Sequence, residues 1–256
     1  MNIYVKTEEE IAHMREAGQC AAFVLDTVRK AVVSGVSTWD LDQLAKKTMD
    51  SVGAISASYG YGEKSNPFPR YICISRNEEV VHGMGRKEVL VQSGDLVSLD
   101  VALYYHGFAG DNTVTIGVDS VGTKQKTLLK VTEQALYRGI DQAVEGNCVG
   151  DISWAIQSFA EQHHLGVVRE LVGHGIGRNM HEEPQVPNVG RPHAGTRLKA
   201  GMTLAIEPMF TLGLPRLQTL KDGWTIVTAD GKPSAHFEHT ILITKKEPEI
   251  LTMVKN

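Results

Sequence analysis

Apolar residues at helical spacing open the chain. In "EEEIAHMREAGQCAAFVLDTVRKAVVSG", Ile11, Met14, Ala17, Ala21, Val24, Leu25 and Val28 fall on one stripe. That spacing predicts an amphipathic helix, with Gly35 as its stop. "STWDLDQLAKKTMDSVG" begins with a Ser37/Thr38 capping signal and predicts a second helix, so residues 8–53 read as helical. Residues 54–70, rich in Gly, Ser, Tyr, Asn and Pro, predict a loop. The runs "RYICISR", "EEVVHG", "DLVSLDVALYY" and "FAGDNTVTIGV" are β-branched and aromatic, with turn residues between them, and predict strands. Helical periodicity returns over residues 124–164. "TKQKTLLKVTEQALYRGIDQAV" ends near Gly146 and "CVGDISWAIQSFAEQHH" follows. Glycine-rich loops then alternate with the strand-like runs "GMTLAIEPMF", "GWTIVTAD" and "SAHFEHTILIT".

The two helical stretches resemble each other. A shift of 111 residues sets Leu25 on Leu136, Val33 on Val144, Gly35 on Gly146 and Asp40 on Asp151. The order helix, glycine, capped helix, strands occurs twice. This predicts an α+β chain of one domain, residues 1–256, built from two related halves, roughly 1–120 and 121–256. Helices cover a mostly antiparallel sheet, and a cleft lies where the halves meet.

The pattern is broken by acids. Asp100 sits inside an apolar strand and Asp111 lies eleven residues on. A hairpin centred between Tyr105 and His106 sets these two directly across from each other, where Cβ atoms are about 4.5–5.5 Å apart and like charges destabilise the sheet. The competing account puts one of them in the turn or facing water. Glu207 interrupts "MTLAIEPMF" and Glu238 interrupts "AHFEHTILIT". A single such acid is usually an edge residue facing solvent. Four are harder to place, because buried carboxylates need cations or hydrogen-bond donors and no lysine or arginine is interleaved with them.

Metal ions meet that need. His174, in "ELVGHGIGRNMHEEPQ", stands between Gly173 and Gly175, where backbone can approach a ligand closely. Four carboxylates and one imidazole suffice for two divalent ions, and their charges balance. Oxygen-rich ligation with one nitrogen favours Mn, Fe(II) or Co over a tetrahedral structural Zn. His181 and His82 are left to handle protons or polarise a carbonyl. His13, His163 and His164 read as solvated helix residues, His106 as a turn residue and His193 as a loop residue. His239 alternates to the face opposite Glu238, while His236 shares its face and reads as a supporting partner.

Composition adds exclusions. The chain has 256 residues, 42% of them hydrophobic, and a net charge of -4, which does not mark a nucleic-acid binder. The acidic, amphipathic start lacks the basic segment and apolar run of a signal peptide, and no apolar stretch approaches a membrane span. Cys20, Cys73 and Cys148 are scattered and form no paired motif. They read as reduced thiols of a cytoplasmic protein.

"VVHGMG", "GDLVSLDV", "GFAGDNT", "GHGIGRNMHEEPQ", "GMTLAIEP" and "FEHTILIT" occur in an order and spacing that are together highly specific. On these motifs the chain resembles the type I methionine aminopeptidases, of the pita-bread fold, over nearly its whole length. The resemblance implies a dinuclear centre holding two divalent ions drawn from Co, Mn, Fe(II) and Zn. Asp100 would bind one ion, Asp111 and Glu238 would bridge both, and His174 and Glu207 would hold the second. It implies that a water between the ions attacks the first peptide carbonyl, with Glu207 as proton shuttle. His181 would stabilise the tetrahedral intermediate and His82 would contact the substrate. Tyr61, Phe68, Cys73, Met180 and Trp224 would line the methionine pocket. The implied partners are N-termini of nascent polypeptides, cleaved when the second residue is small, with transient ribosome contact and a monomeric state.

The sequence departs from the family pattern at the pocket. Met180 stands where phenylalanine is frequent, Phe68 where tyrosine is usual, Ser58 where cysteine is frequent and His236 where glutamine is usual. The loop "YGYGEKSNPFP" is longer by a few residues. These changes bear on specificity, since all five metal-ligand positions match. Two rival readings share the fold: a proline-specific aminopeptidase or prolidase relative, and a non-catalytic binding protein. The first usually carries an additional N-terminal domain, and the second loses ligands.

Overall fold

A computed structural model describes residues 3–254. Helix α1 (Glu8–Lys30) starts at Thr7, whose side chain accepts from the Glu10 backbone while the Glu10 carboxylate accepts from the Thr7 backbone. Helix α2 (Thr38–Val52) starts at Ser37, capped onto Asp40, and ends at Gly53 in the left-handed region. Strands β1 (Ile55–Ser56), β2 (Cys73–Arg76), β3 (Glu79–Val81), β4 (Leu96–Tyr105) and β5 (Phe108–Gly117) follow. Then come α3 (Thr123–Asp141), α4 (Val149–Gln162), β6 (Gly166–Val167), β7 (Val172–Gly175) and β8 (Glu182–Pro187). The chain closes with β9 (Thr203–Ile206), β10 (Met209–Thr211), β11 (Leu217–Thr219), β12 (Ile226–Thr228), β13 (Ser234–His236), β14 (Glu238–Leu242) and β15 (Glu249–Ile250).

The main sheet runs β1-β4-β5-β14-β9-β7-β8, with β2 added on β4 and β15 on β14. Its pairings are antiparallel. One core packs α1 and α2 residues such as Val24 and Leu41 against Ile74, Leu99 and Leu103. The other packs α3 and α4 residues such as Leu136 and Ile152 against Leu204, Ile206 and Ile241. The α+β class and the helix-covered antiparallel sheet agree with the sequence pattern.

The first helix ends at Lys30, short of the predicted stop at Gly35. The reason lies in backbone bonding. Gly35 donates to Val91, Thr38 donates to Val89, and Val91 donates back to Val36. A chain committed to those bonds cannot stay helical. The second half repeats the device. Gly146 donates to Leu198 and Leu198 donates back to Asn147, so α3 ends at Asp141. Gly35 and Gly146 have φ of 94° and 96°, which side chains rarely adopt.

Register corrects the hairpin. Asp100 lies opposite Thr113 and Asp111 opposite Ala102, so the two aspartates are diagonal neighbours on one face. The turn is a two-residue one, with His106 at φ 49° and Gly107 at φ 81°, as the twist of the flanking strands requires. This shifts the centre by one residue from the position between Tyr105 and His106. Gly110, one residue before Asp111, lies against α1. A Cβ there would sit 2.4 Å from the Ala17 carbonyl oxygen.

Two predicted strands are interrupted. "GMTLAIEPMF" divides into β9, in the main sheet, and β10, in a small sheet with β13 and β6. Glu207 and Pro208 form the break, so Glu207 leaves the strand rather than belonging to it. "SAHFEHTILIT" divides at Phe237 in the same way, leaving Glu238 as the first residue of β14. His13 is only half exposed, its ring stacked on Phe108 at 5.4 Å. Among the described residues no helix is long and apolar enough to cross a membrane.

Candidate metal centre

The sheet brings the acids together by register. Asp100 of β4 pairs with Thr113 of β5, and Thr113 pairs with Glu238 of β14. One row across three strands therefore carries Asp100 and Glu238 on the same face. The next row on that face holds Asp111, two residues from Thr113, then Thr240, Ala205 and His174. The Thr240 hydroxyl donates to the Asp111 carbonyl oxygen, Thr240 pairs with Ala205, and Ala205 pairs with His174. Glu207 enters from the break after β9.

Asp100, Asp111, His174, Glu207 and Glu238 line a cavity of about 220 Å³. His174 Nε2 lies 3.7 Å from Asp111 Oδ2 and 3.7 Å from Glu207 Oε1. Its Nδ1 is 2.8 Å from the Gly175 carbonyl oxygen, which accepts the ring proton and leaves the Nε2 lone pair facing the carboxylates. Close approach is possible because Gly173 and Gly175 have no Cβ. One added at either would lie 2.4 Å from the Ala205 carbonyl oxygen or 2.3 Å from that of Glu183. Glu238 Oε2 accepts from the Thr113 hydroxyl at 2.8 Å. Thr113 is a partner that sequence reading missed, although its place two residues beyond Asp111 put it on the same strand face.

Electrostatically the cluster is unbalanced. Asp111, His174 and Glu238 are 3%, 7% and 3% exposed. Burial, then the Glu238 charge, holds the Asp111 carboxyl well above the usual carboxylate range. Burial and Glu207 do the same to Glu238, and burial and Asp100 to Glu207. Asp100 is raised by burial, with His236 opposing. Burial, then neighbouring His181, lowers His174 to about 4. Asp111 Oδ1, Glu238 Oε1 and His236 Nε2 are buried with no hydrogen-bond partner. Orphaned anionic oxygens beside an imidazole lone pair are a donor set made for divalent cations. The donor atoms of Asp111, His174 and Glu238 all lie within 4.8 Å of one another.

The remaining predicted residues line the same cavity: His82, His181, Tyr61, Phe68, Cys73, Met180 and Trp224. The His181 ring is 4.3 Å from that of His174, and His82, at φ 58°, meets Trp224 edge-on. Phe68 packs edge-on against Trp224 at 5.3 Å. His236 Nε2 lies 3.6 Å from Glu207 Oε2, in keeping with its reading as a supporting partner. His239 lines a separate groove with Tyr137, on the opposite side as predicted. Leu171, Val172 and Met209 are among the further lining residues and were not anticipated. Leu171 and Val172 immediately precede the glycine-flanked histidine, which is the signal that could have found them.

Comparison with known proteins bears on this arrangement. The model of metallopeptidase family M24 matches residues 12–245. Methionine aminopeptidase 1 of Bacillus subtilis is 45% identical over 252 residues, covering 98% of this chain and 100% of that protein. The crystal structure of methionine aminopeptidase from Thermotoga maritima superposes with a TM-score of 0.95 at 44% identity, covering 98% and 99% of the two chains. The prolidase from Pyrococcus furiosus shares the fold at a TM-score of 0.79, but at 22% identity and over 66% of its own length. A family match over residues 12–245, together with near-complete coverage of relatives in one branch, leaves a single assignment: the chain belongs to metallopeptidase family M24, among the methionine aminopeptidases.

Proposed function

We propose that this chain removes the N-terminal methionine from newly made proteins whose second residue is small. It would act in the cytoplasm as a monomer, in transient contact with ribosomes, and as one catalytic domain of two halves, roughly 1–120 and 121–256. The observation that carries the reading is the convergence of four carboxylates and the His174 lone pair on one cleft.

In this reading Asp100, Asp111, His174, Glu207 and Glu238 would hold two divalent ions from the set Co, Mn, Fe(II) and Zn. Bound there, the ions would supply Lewis acidity and a low-pKa water for hydrolysis. Glu207, whose carboxyl burial raises, moves the proton from the attacking side to the departing amine. His181 faces the carbonyl oxygen and steadies the charge that develops on it. His82 contacts the substrate beside the scissile amide. Tyr61, Phe68, Cys73, Met180 and Trp224 receive the methionine side chain, for which a soft aromatic-edged pocket is suited.

The test is release of free methionine from Met-Ala-Ser by chelated enzyme, before and after adding Mn, Fe(II), Co or Zn, with Met-Leu-Ser and Ala-Pro-Ser alongside. Metal-dependent release from Met-Ala-Ser alone is expected. Activity confined to Ala-Pro-Ser would move the chain to the proline-specific branch. Inactivity on all three with metal bound would assign a binding role.

A further inference from the structure

The tip of the β4–β5 hairpin folds onto α1 and brings three donor residues together outside the central cavity. His13 and Glu16 lie one turn apart on the helix, and His106 is the first residue of the turn. Glu16 Oε2 is 2.9 Å from His106 Nδ1 and 3.6 Å from His13 Nδ1. Donor atoms from all three residues lie within 4.8 Å of one another. None of the three lines the central cavity.

Two further observations distinguish this cluster from a chance surface group. His13 Nδ1 is shielded from water and has no hydrogen-bond partner among the described residues. A hidden ring nitrogen held 3.6 Å from a carboxylate, beyond hydrogen-bond reach, is costly unless something coordinates it. Both rings are also held in place. His13 stacks on Phe108 with an interplanar angle of 13°, and His106 stacks on Tyr105 at 4.0 Å. The two imidazoles stand at 90° to each other, so their lone pairs approach from different directions with Glu16 between them. Around a tetrahedral ion with bonds of 2.0–2.2 Å, neighbouring donors are roughly 3.3–3.5 Å apart. The two distances to Glu16 bracket that separation.

We propose that His13, Glu16 and His106 form a second metal site, on the surface, for a divalent transition ion of the zinc class. Two imidazoles and one carboxylate favour such an ion over Mg²⁺ or Ca²⁺, which take oxygen ligands. With three protein ligands, one position stays with water. The bound ion fastens the hairpin tip to α1, and the arms of that hairpin carry Asp100 and Asp111. The site therefore steadies the platform of the central cluster without entering it.

The test is Zn²⁺ titration of chelator-stripped protein, with bound equivalents counted by elemental analysis and calorimetry. His106→Ala and Glu16→Gln change exposed side chains. Each is expected to bind one equivalent fewer than the parent chain. Each should also lose a Zn²⁺-dependent rise in Tm of a few degrees, while still releasing methionine from Met-Ala-Ser. In an Asp111→Ala background the surface equivalent should persist, and adding His106→Ala should abolish it. Equal stoichiometry and equal Zn²⁺ response in the parent and His106→Ala chains would overturn the site. So would Mg²⁺ binding there as tightly as Zn²⁺. The comparison of parent with His106→Ala stands even where the Asp111→Ala background is unstable.

Discussion

The Tyr61 hydroxyl lies 3.1 Å from His181 Nδ1, across 120 residues of sequence. With Nδ1 engaged there, the other ring nitrogen is left for the cleft. Tyr61→Phe removes the bond and keeps the ring. We expect kcat/KM on Met-Ala-Ser to fall roughly two- to tenfold, the worth of about 0.5–1.4 kcal/mol for one partly exposed hydrogen bond. An unchanged value would show that His181 is oriented by its ring contacts alone.

Asp111 and His174 sit at the centre of the orphaned donor set. Asp111→Ala and His174→Ala are each expected to abolish methionine release and weaken metal binding while circular dichroism stays native. Removing either group leaves no unpaired cation behind, so the metal-free fold should survive. Full activity in either variant would refute the ligand assignment.

Stability of the chelated protein should depend on pH in a defined direction. The carboxyls of Asp111, Glu207 and Glu238 are raised by burial and mutual repulsion, so the folded state retains protons that the unfolded state has lost. Their effect is a loss of stability as pH rises from the ordinary carboxylate range through the raised values. His174, His236 and His239, lowered from 6.5 to about 4, act oppositely between those values, favouring the fold as pH rises. Asp111→Asn removes one of the raised groups, so its metal-free Tm is expected to gain on the parent chain as pH rises above the ordinary carboxylate range. Metal-loaded parent protein should not show this pH-dependent deficit, because the ions neutralise the same charges. A metal-free Asp111→Asn chain that loses Tm against the parent as pH rises would contradict the burial of these charges.

Met180 is half-buried at the cavity wall, and its backbone N–H donates to the Tyr104 hydroxyl. Met180→Phe exchanges a flexible thioether for a rigid ring at a point that faces the pocket. Ratios of kcat/KM among peptides differing at the first and second residues should change more than kcat on the best of them. Turnover that collapses with unaltered ratios would place Met180 outside the pocket.

Much of the centre was legible because each ligand disrupts a local pattern. Asp100, Glu207 and Glu238 interrupt apolar runs, and His174 sits between glycines. What could not be read locally was set by tertiary bonding. The hairpin centre depends on His106 and Gly107 both taking positive φ, and histidine is a weak signal for that turn. The end of α1 depends on bonds from residues 35–38 to residues 89–91. The break at Glu207 and Pro208 looks like strand because β9 and β10 are both apolar, yet they belong to different sheets. The meeting of His13, Glu16 and His106 depends on where a hairpin tip lands on a helix 90 residues away in sequence.

The sheet order also sets a timetable. Strand β14 fills the gap between β5 and β9, although its residues, Glu238–Leu242, follow every other strand of the main sheet except β15 in sequence. Until they emerge, two inner strands present open edges of the kind that pair with other chains. Asp111 and His174 meanwhile wait on separate pieces of sheet, without Glu238. The centre is therefore complete only once β14 has joined β5 to β9 and brought Glu238 beside Asp111 and His174.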